Sequence, residues 1–195
     1  MHLADVHSIR YGAVLVEGER WPNCIHVIEH PEGRVLVDTG MIDATPELEA
    51  EWGVRFDPDL IPRDVVCVIN THLHFDHCGG NRLFPGVPIH VQRAARAAAK
   101  APDYLEEWVE FEGATYIEHD GEAEILPGIR VVPTPGHAPG HQSVLVDTDD
   151  GLVVVAGDVG YTWGEFERSD SGQALMALNP RRIWLAHQAE PRDRA

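Results

Sequence analysis

The segment from Asn70 to Asn81 constrains this chain more than any other part of its sequence. It reads N-T-H-L-H-F-D-H-C-G-G-N and places four side chains that can bind metal ions within six positions. A lone histidine pair is common in turns, but a set this dense is typical of a metal centre. A closed structural zinc site would use four ligands, mostly cysteines, and Cys78 is the only thiol in the run. Counting Cys78, the run therefore offers more ligands than one closed ion needs.

The spacing within this run divides its side chains between two positions. The run follows directly on the predicted strand Val65–Asn70, and residues two apart on an extended chain face the same side. His72 and His74 can therefore reach one ion together. Asp76 and His77 are adjacent in the sequence, so their side chains diverge and can serve a second ion.

Three further candidate ligands follow apolar, strand-like runs later in the chain: His137, Asp158 and His187. Taken singly, a polar residue after a strand is usually a cap or a turn former. Together with the first run, these residues place ligand side chains at four strand ends. We expect those ends to meet along one rim of a two-sheet sandwich.

Short runs rich in valine and isoleucine recur along the chain, separated by glycine, proline and aspartate. Their length and composition predict strands. The predicted strands are Ala13–Val16, Cys24–Glu29, Arg34–Asp38, Val65–Asn70, Pro88–Val91, Ile129–Val132, Ser143–Asp147, Leu152–Ala156 and Arg182–Leu185.

Helix signals are fewer. The clearest is Thr45-Pro46-Glu47, a cap followed by proline and an acidic residue, which opens a helix through about Trp52. Further helices are predicted at Gln92–Ala101, Asp103–Glu110 and Ser169–Leu178. Strands dominate and helices are scattered between them, so we predict an α/β (α+β) fold with two packed sheets flanked by helices. With no linker and no internal repeat, residues 1–195 are expected to form one domain.

Composition argues against some partners. The formal net charge is −17, and such a surface repels phosphate backbones and anionic lipid headgroups, which disfavours nucleic acid and membranes. The three cysteines are odd in number and lack metal-type spacing, so we expect free thiols in a reducing compartment. No basic region followed by an apolar stretch opens the chain, so we expect no signal peptide and a cytoplasmic protein.

In its order of ligands, the chain resembles the metallo-β-lactamase superfamily, and the likeness extends from Val37 to His187. The resemblance implies an αββα sandwich with two divalent metal ions in one shared site. It implies His72, His74 and His137 as ligands of the first ion, Asp76, His77 and His187 as ligands of the second, and Asp158 as a ligand of both. Zinc is the default ion for such mixed ligation, and iron, manganese and cobalt accept the same ligands.

Within the superfamily, the chain resembles the N-acyl homoserine lactonases, which degrade quorum-sensing signals. The resemblance rests on the runs H-L-H-F-D-H-C-G-G-N from His72 and T-P-G-H-A-P-G-H-Q-S from Thr134, and on Tyr161 three residues after Asp158. The connection after Gly40 and the segment after Tyr161 are shorter than in those lactonases. Both regions shape the groove for the acyl chain, so the resemblance does not imply a particular chain-length preference.

The same resemblance implies catalytic roles. Water shared by two divalent ions loses a proton far more readily than bulk water and supplies hydroxide near neutral pH, which would attack the carbonyl of a small-molecule lactone. Tyr161 would donate a hydrogen bond to the developing oxyanion, and Asp76 would carry a proton to the leaving ring oxygen. Homodimers are common in this family, but the sequence shows no exposed apolar stripe that indicates one.

Other functions share the ligand set. A glyoxalase II-like thioesterase has further helices after the last ligand, whereas eight residues follow His187 here. The acidic surface disfavours a phosphodiesterase or ribonuclease, and the complete Asp76 and His77 pair disfavours a β-lactamase. A metal-binding module without turnover would be expected to have lost ligands.

The remaining histidines and several polar residues have ordinary interpretations. Asp38 is interpreted as a turn former, with support of a ligand histidine as the alternative. His141 is interpreted as a loop or supporting residue, and the five tryptophans as packing residues. The histidines without partner spacing are expected to be surface or core residues: His2, His7, His26, His30, His90 and His119.

Overall fold

The computed structural model describes residues 1–101 and 104–194, which fold into two sheets. The first sheet contains β1 (Val6–Val16), β2 (Glu19–His30), β3 (Gly33–Val37), β4 (Arg55–Phe56), β5 (Cys67–Ile69), β6 (Pro88–Gln92) and β7 (Thr115–His119). Its strand order is β4-β1-β2-β3-β5-β6-β7. The pairs from β4 to β3 are antiparallel, whereas β3, β5, β6 and β7 run parallel.

The second sheet has six strands, in the order β13-β12-β11-β10-β9-β8. These are β8 (Ala123–Leu126), β9 (Ile129–Pro133), β10 (Gln142–Thr148), β11 (Gly151–Val155), β12 (Arg182–Trp184) and β13 (Arg192–Asp193). Only the β11 and β12 pair is parallel among its described pairings.

The helices are α1 (Pro46–Trp52), α2 (Phe75–Cys78), α3 (Arg93–Ala98), α4 (Glu106–Val109), α5 (Trp163–Arg168) and α6 (Asp170–Ala177). None of those described combines the length and apolarity that crossing a bilayer as a helix requires.

Alternation along the central strands shows how the layers stack. In β3, Val35 and Val37 pack into the core between the two sheets, while Leu36 packs into the core on the outer face of the first sheet. In β10, Val144 faces the inter-sheet core and Leu145 faces α5 and α6. Because side chains alternate with a period of two, a strand covered on both faces must be apolar throughout. This layering confirms the predicted αββα sandwich.

All nine predicted strands are present, and the four that were missed share one property. They are β4, β7, β8 and β13, the edge strands of the two sheets. An edge strand is only partly buried, as the alternation of exposed and half-buried residues in β7 shows, so it lacks the continuous apolar run that revealed the others. The first hairpin is also longer than predicted, since β1 begins at Val6 and β2 spans Glu19–His30.

The four predicted helices are present, and all but the first are shorter than predicted. α1 begins as expected, where the Thr45 hydroxyl accepts a hydrogen bond from Leu48 N, and ends at Gly53 in a left-handed conformation. α3 and α6 lie within their predicted ranges, and α4 starts at Glu106, while position 103 of that prediction lies outside the described residues. α2 and α5 were missed.

Candidate metal centre

Loops and helix starts at the carboxyl ends of four strands supply the candidate ligands. His72 and His74 lie in the loop after β5, and the short helix α2 then carries Asp76 and His77. The other three follow strands of the second sheet: His137 after β9, Asp158 after β11 and His187 after β12. The structure therefore brings all seven predicted ligands to one rim of the sandwich.

Three of these histidines form a close group. His72 Nε2 lies 2.9 Å from His74 Nδ1, and His137 Nε2 lies 3.1 Å from the first and 3.0 Å from the second. A neutral imidazole nitrogen carries either a proton or a lone pair, so three mutually facing nitrogens cannot all be paired by hydrogen bonds. Nitrogen ligands of one tetrahedral zinc ion lie about 3.3 Å apart, close to the spacing seen here.

Burial sets the charge state of this group. It lowers the pKa of His72 well below the usual value, that of His74 to about 4 and that of His137 in the same direction. The three rings are therefore neutral near pH 7. Because only an unprotonated nitrogen can bind a metal ion, this group is ready to act as ligands.

Asp158 lies between this group and a second one. Its Oδ2 is 3.5 Å from His137 Nε2 and 3.3 Å from both His77 Nε2 and His187 Nε2. Asp76 Oδ2 lies 3.8 Å from His77 Nε2 and 3.7 Å from His187 Nε2. The second group thus combines two carboxylates with two imidazoles.

The carboxylates make the second group attract positive charge. Burial alone would lower the pKa of His77, but Asp158, Asp76 and then Asp38 raise it well above its usual value. Burial also lowers the pKa of His187, but the charge of Asp158 outweighs burial, so the pKa is raised. Burial raises the pKa of Asp158, but His187 and His77 hold it well below the usual range.

Two buried atoms of the cluster without hydrogen-bond partners among the described residues indicate whether it fits a metal ion. His77 Nε2 and Asp158 Oδ1 are buried and have no hydrogen-bond partner in the described part of the chain. An unpaired buried polar atom costs about 1–3 kcal/mol, so such atoms call for a partner. The ligand atoms of each triad lie within 4.8 Å of one another in three overlapping sets: His72, His74 and His137; His72, His77 and Asp158; Asp76, His77 and His187. A donor set of imidazoles and carboxylates in this arrangement fits divalent cations.

Asp38 does more than form a turn, so its preferred interpretation was incomplete. Its φ of +60° does place it in a left-handed turn. Its carboxylate also accepts hydrogen bonds from Thr71 N at 2.7 Å and Thr71 Oγ1 at 2.8 Å, and it lies 2.8 Å from His77 Nδ1. Asp38 therefore orients His77 so that Nε2 points into the cluster.

His141 supports the cluster from beneath. Its Nε2 accepts a hydrogen bond from Asp158 N at 3.1 Å, and its Nδ1 lies 3.0 Å from the Thr134 carbonyl oxygen. Burial lowers the pKa of His141 to about 3, so the ring is neutral and can accept at one nitrogen while donating at the other. This contact fixes the backbone of Asp158.

Sequence reasoning missed Tyr11. Its buried hydroxyl donates a hydrogen bond to the main-chain oxygen of Asp76 at 2.7 Å. Its ring also covers Gly40, where an added Cβ would lie 2.6 Å from the ring. Tyr11 lies among mixed polar and apolar residues of β1, and it belongs to no recognisable motif.

A cavity of about 530 Å³ opens onto the cluster. We call it the apolar cavity, and its apolar walls are Val14, Val16, Trp21, Leu48, Trp52 and Phe75. Two of the tryptophans that were interpreted as packing residues thus face this space.

Tyr161 also lies in the wall of the apolar cavity. Its hydroxyl is 3.3 Å from His137 Nδ1, and its ring packs against His187 with ring centroids 5.3 Å apart. Burial, followed by the charge of Asp158, raises the pKa of Tyr161. The hydroxyl therefore stays protonated near neutral pH and can donate a hydrogen bond beside the cluster.

Two histidines without partner spacing in the sequence pair with each other away from the cluster. His90 on β6 and His119 on β7 stack with an interplanar angle of 4°, and their Nδ1 and Nε2 atoms are 3.0 Å apart. Adjacent parallel strands bring them together, a relation that sequence spacing does not show.

Comparison with known proteins identifies the family. A family model described as the metallo-beta-lactamase superfamily matches residues 20–187. A Bacillus cereus protein named N-acyl homoserine lactonase is 36% identical over 168 residues, covering 75% of this chain and 67% of the relative. A second one, from Bacillus sp, is 36% identical over 185 residues, covering 80% and 74%.

Solved structures agree with the sequence comparison. An N-acyl homoserine lactone hydrolase with the product N-hexanoyl-L-homoserine at its catalytic metal centre superposes with a TM-score of 0.82 at 26% identity, covering 96% of this chain and 94% of the other. A mutant of the B. thuringiensis protein AiiA with N-decanoyl-L-homoserine at the active site gives the same values. The chain therefore belongs to the metallo-beta-lactamase superfamily, in the group that includes the Bacillus N-acyl homoserine lactonases.

Proposed function

We propose that this chain is a metal-dependent hydrolase that opens the lactone ring of N-acyl homoserine lactones. The observation that carries the proposal is the convergence of seven ligand side chains beside Tyr161 and the apolar cavity. Relatives named N-acyl homoserine lactonases support it, as does the product bound at the metal centre of a similar structure. The apolar cavity would receive the acyl chain.

The proposed site holds two divalent ions. The proposed ligands are His72, His74 and His137 for the first ion, Asp76, His77 and His187 for the second, and Asp158 for both. The position of Asp158 Oδ2, within 3.5 Å of histidines from both groups, supports the shared role. Zinc suits this ligand set, and iron, manganese or cobalt would also bind it.

The chain's own residues carry the remaining steps. Bound ions would polarise the lactone carbonyl and make water acidic enough to react near neutral pH. Tyr161 would donate its hydroxyl hydrogen to the carbonyl oxygen as negative charge builds there. Asp76, at the edge of the second group, would accept a proton from the attacking water and pass it to the ring oxygen as the C–O bond breaks.

We also propose that residues 1–195 act as a single hydrolase domain in a reducing compartment such as the cytoplasm. The shared core between the two sheets supports the first point, because both sheets contribute ligands to one rim. The three cysteines, all free and buried, support the second point.

The test is hydrolysis by the metal-loaded protein, measured as the release of acid at constant pH. The panel contains N-acyl homoserine lactones with short, medium and long chains, S-lactoylglutathione, a bis-aryl phosphodiester and nitrocefin. We expect turnover of the lactones alone, with preference for chains long enough to fill the apolar cavity. Turnover of the thioester, phosphodiester or β-lactam without the lactones would contradict the proposal, and so would a metal-loaded protein that hydrolyses none of them.

A further inference from the structure

A second cavity, of about 430 Å³, reaches the same cluster. Both cavities include Asp158 and Tyr161 in their walls. The Tyr161 ring packs against Trp21 of the apolar cavity, with centroids 5.4 Å apart, and against His137 of the second cavity, with centroids 5.5 Å apart. Tyr161 therefore lies between two spaces that meet at the ligand cluster.

The second cavity differs in its chemistry from the apolar one. Its wall is formed by the Pro135–Gly136 turn and by the segment from α5 to the start of α6. This segment follows Tyr161 in the sequence. Besides His137, Asp158 and Tyr161, the side chains of the second cavity include a guanidinium, a carboxylate and two hydroxyls, whereas the apolar cavity is walled mainly by aliphatic and aromatic groups.

Most of these polar groups already have partners within the protein. Glu165 accepts hydrogen bonds from Tyr161 N at 3.0 Å and from Thr162 N at 2.9 Å. The Ser169 hydroxyl caps α6 by accepting from its backbone and donates to a main-chain oxygen. The Ser171 hydroxyl donates to the Pro135 carbonyl oxygen at 2.7 Å.

Arg168 is the exception in this wall. It is exposed, and across residues 1–101 and 104–194 its guanidinium takes part in no ion pair or hydrogen bond that the structure shows. It stands beside Gly164, where an added Cβ would lie 3.1 Å from Arg168 Nη1. The cavity thus presents one uncommitted cation, which can bind a carboxylate with two parallel hydrogen bonds.

An N-acyl homoserine lactone has no large group on the alcohol side of its scissile bond. Its long substituent hangs from the acyl side of the scissile bond, and the alcohol side consists of two ring methylenes. An open-chain ester has one substituent on the acyl side of the scissile bond and another on the alcohol side. The second cavity offers room for the alcohol side of such an ester, and Arg168 offers an anion contact at that end.

We propose that this chain also hydrolyses open-chain carboxylic esters whose alcohol part bears a carboxylate, with the acyl part in the apolar cavity and the alcohol part in the second cavity against Arg168. The inference uses the hydrolytic centre of the proposed function. Water adds its oxygen to the carbonyl carbon, the C–O bond to the alcohol breaks, and one water proton ends on the alcohol oxygen. The products are a carboxylic acid and a hydroxy acid, and no oxidant or reductant is needed.

The test compares two esters that differ in one group, the hexanoyl ester of γ-hydroxybutyrate and butyl hexanoate. With the metal-loaded protein, we expect kcat/KM to be about fivefold higher for the anionic ester, the size of a partly exposed ion pair. In Arg168→Gln this preference should fall to about one, while kcat/KM for N-hexanoyl homoserine lactone stays unchanged. Arg63→Gln is the matched control. Arg63 is also exposed, but it lies before the start of β5, whereas His72 follows the end of that strand.

Binding provides a readout that does not depend on turnover. The hexanoyl amide of γ-aminobutyrate should bind about fivefold more tightly than N-butylhexanamide, and Arg168→Gln should remove the difference in calorimetric titration. An equal affinity for the two amides, or a preference that persists in Arg168→Gln, would overturn the inference. Lactone turnover with neither ester hydrolysed would overturn it and leave the proposed function standing. Preference for the anionic ester without lactone turnover would support the inference and contradict the proposed function.

Discussion

At the scale of single residues, neighbouring groups decide what each histidine of the cluster can do. Burial, followed by neighbouring histidines, lowers the pKa of His72, His74 and His137 and keeps them neutral. The carboxylates around His77 and His187 instead raise the pKa of each. The first group therefore offers unprotonated nitrogen atoms, and the second group has a negative electrostatic potential. Tyr161 lies beside both groups with its proton retained.

Replacing Tyr161 with phenylalanine should lower kcat for lactones by about a hundredfold, the effect of removing one donor to a developing oxyanion. The ring and its packing remain, so metal content should not change. Steady-state kinetics together with elemental analysis of the purified variant measure both quantities. An unchanged kcat would remove the proposed role of the hydroxyl.

Replacing Tyr11 with phenylalanine should act through Asp76, whose main-chain oxygen loses its hydrogen bond. Loss of a group that orients a ligand typically weakens metal affinity about 10-fold or more. We expect the ion held by Asp76 and His187 to weaken and the ion of the three-histidine group to keep its affinity. Titration with cobalt, monitored by visible absorption, resolves the two binding steps.

Tyr116 provides the control for Tyr11. It is a partly buried tyrosine that also donates to a main-chain oxygen, that of Val109 at 3.0 Å, and accepts a hydrogen bond from Asn81 Nδ2 at 3.2 Å. Neither Val109 nor Asn81 is a candidate ligand. Tyr116→Phe should leave both cobalt affinities unchanged. Equal weakening of both ions in Tyr11→Phe would show general loosening of the fold instead of a specific effect on Asp76.

The sequence predicted these residues unevenly, for a physical reason. The candidate ligands could be found because metal binding demands particular residue types at the ends of strands. Tyr11 could not, because its role depends on a contact 65 positions away in the sequence and on a hydroxyl that any tyrosine carries. Asp38 was intermediate, since its turn was visible but its contact with His77 was not.

At the scale of elements, the same distinction separates central strands from edges. β3 and β10 are covered on both faces and had to be apolar, so their sequences revealed them. The four edge strands are partly exposed and carry no such requirement. The start of α5 does carry a sequence signal: Thr162 and Glu165 form a capping box, with a threonine followed three residues later by a glutamate.

The turn that carries the ligands depends on close contact between two loops. An added Cβ at Gly80 would lie 2.3 Å from the Thr39 carbonyl oxygen, a backbone atom that cannot rotate away. Gly80→Ala should therefore lower the free energy of unfolding by about 3 kcal/mol. In the control Gly164→Ala, the nearest atom belongs to the flexible Arg168 side chain, and alanine favours the helix, so stability should change by less than about 1 kcal/mol. Denaturant unfolding measures both, and equal effects would contradict the contact.

The stacked pair on β6 and β7 should make stability depend on pH. Burial, followed by His119, lowers the pKa of His90 to about 4, below its value of about 6.5 in the unfolded chain. The stability from neutral His90 is therefore complete above about pH 6.5 and is lost as the pH falls toward 4. His90→Gln should remove this loss, which solvent screening limits to about 1 kcal/mol. Unfolding at a series of pH values measures it, with the exposed His2→Gln as control, and identical acid profiles for wild type and His90→Gln would contradict it.

At the scale of the whole molecule, the ligand cluster joins the two sheets at one rim. Four candidate ligands follow β5 of the first sheet, and three follow strands of the second. The chain also carries a net charge of −17, which opposes compaction through self-repulsion. Cations bound at the cluster would both link the sheets and offset part of this charge.

Removal of metal should therefore destabilise the entire sandwich and not only the site. A ligand at about 1,000 times its dissociation constant contributes about 4 kcal/mol, which corresponds to roughly 10 °C in a chain of this size. We expect a chelator to lower the midpoint of thermal unfolding by that amount and added zinc to restore it. Asp158→Asn should start from a lower midpoint and respond little to the chelator, because Asp158 lies between both groups. If the variant and the wild type shifted equally, the chelator would be acting outside this cluster, and the two sheets would be held together by their apolar core alone.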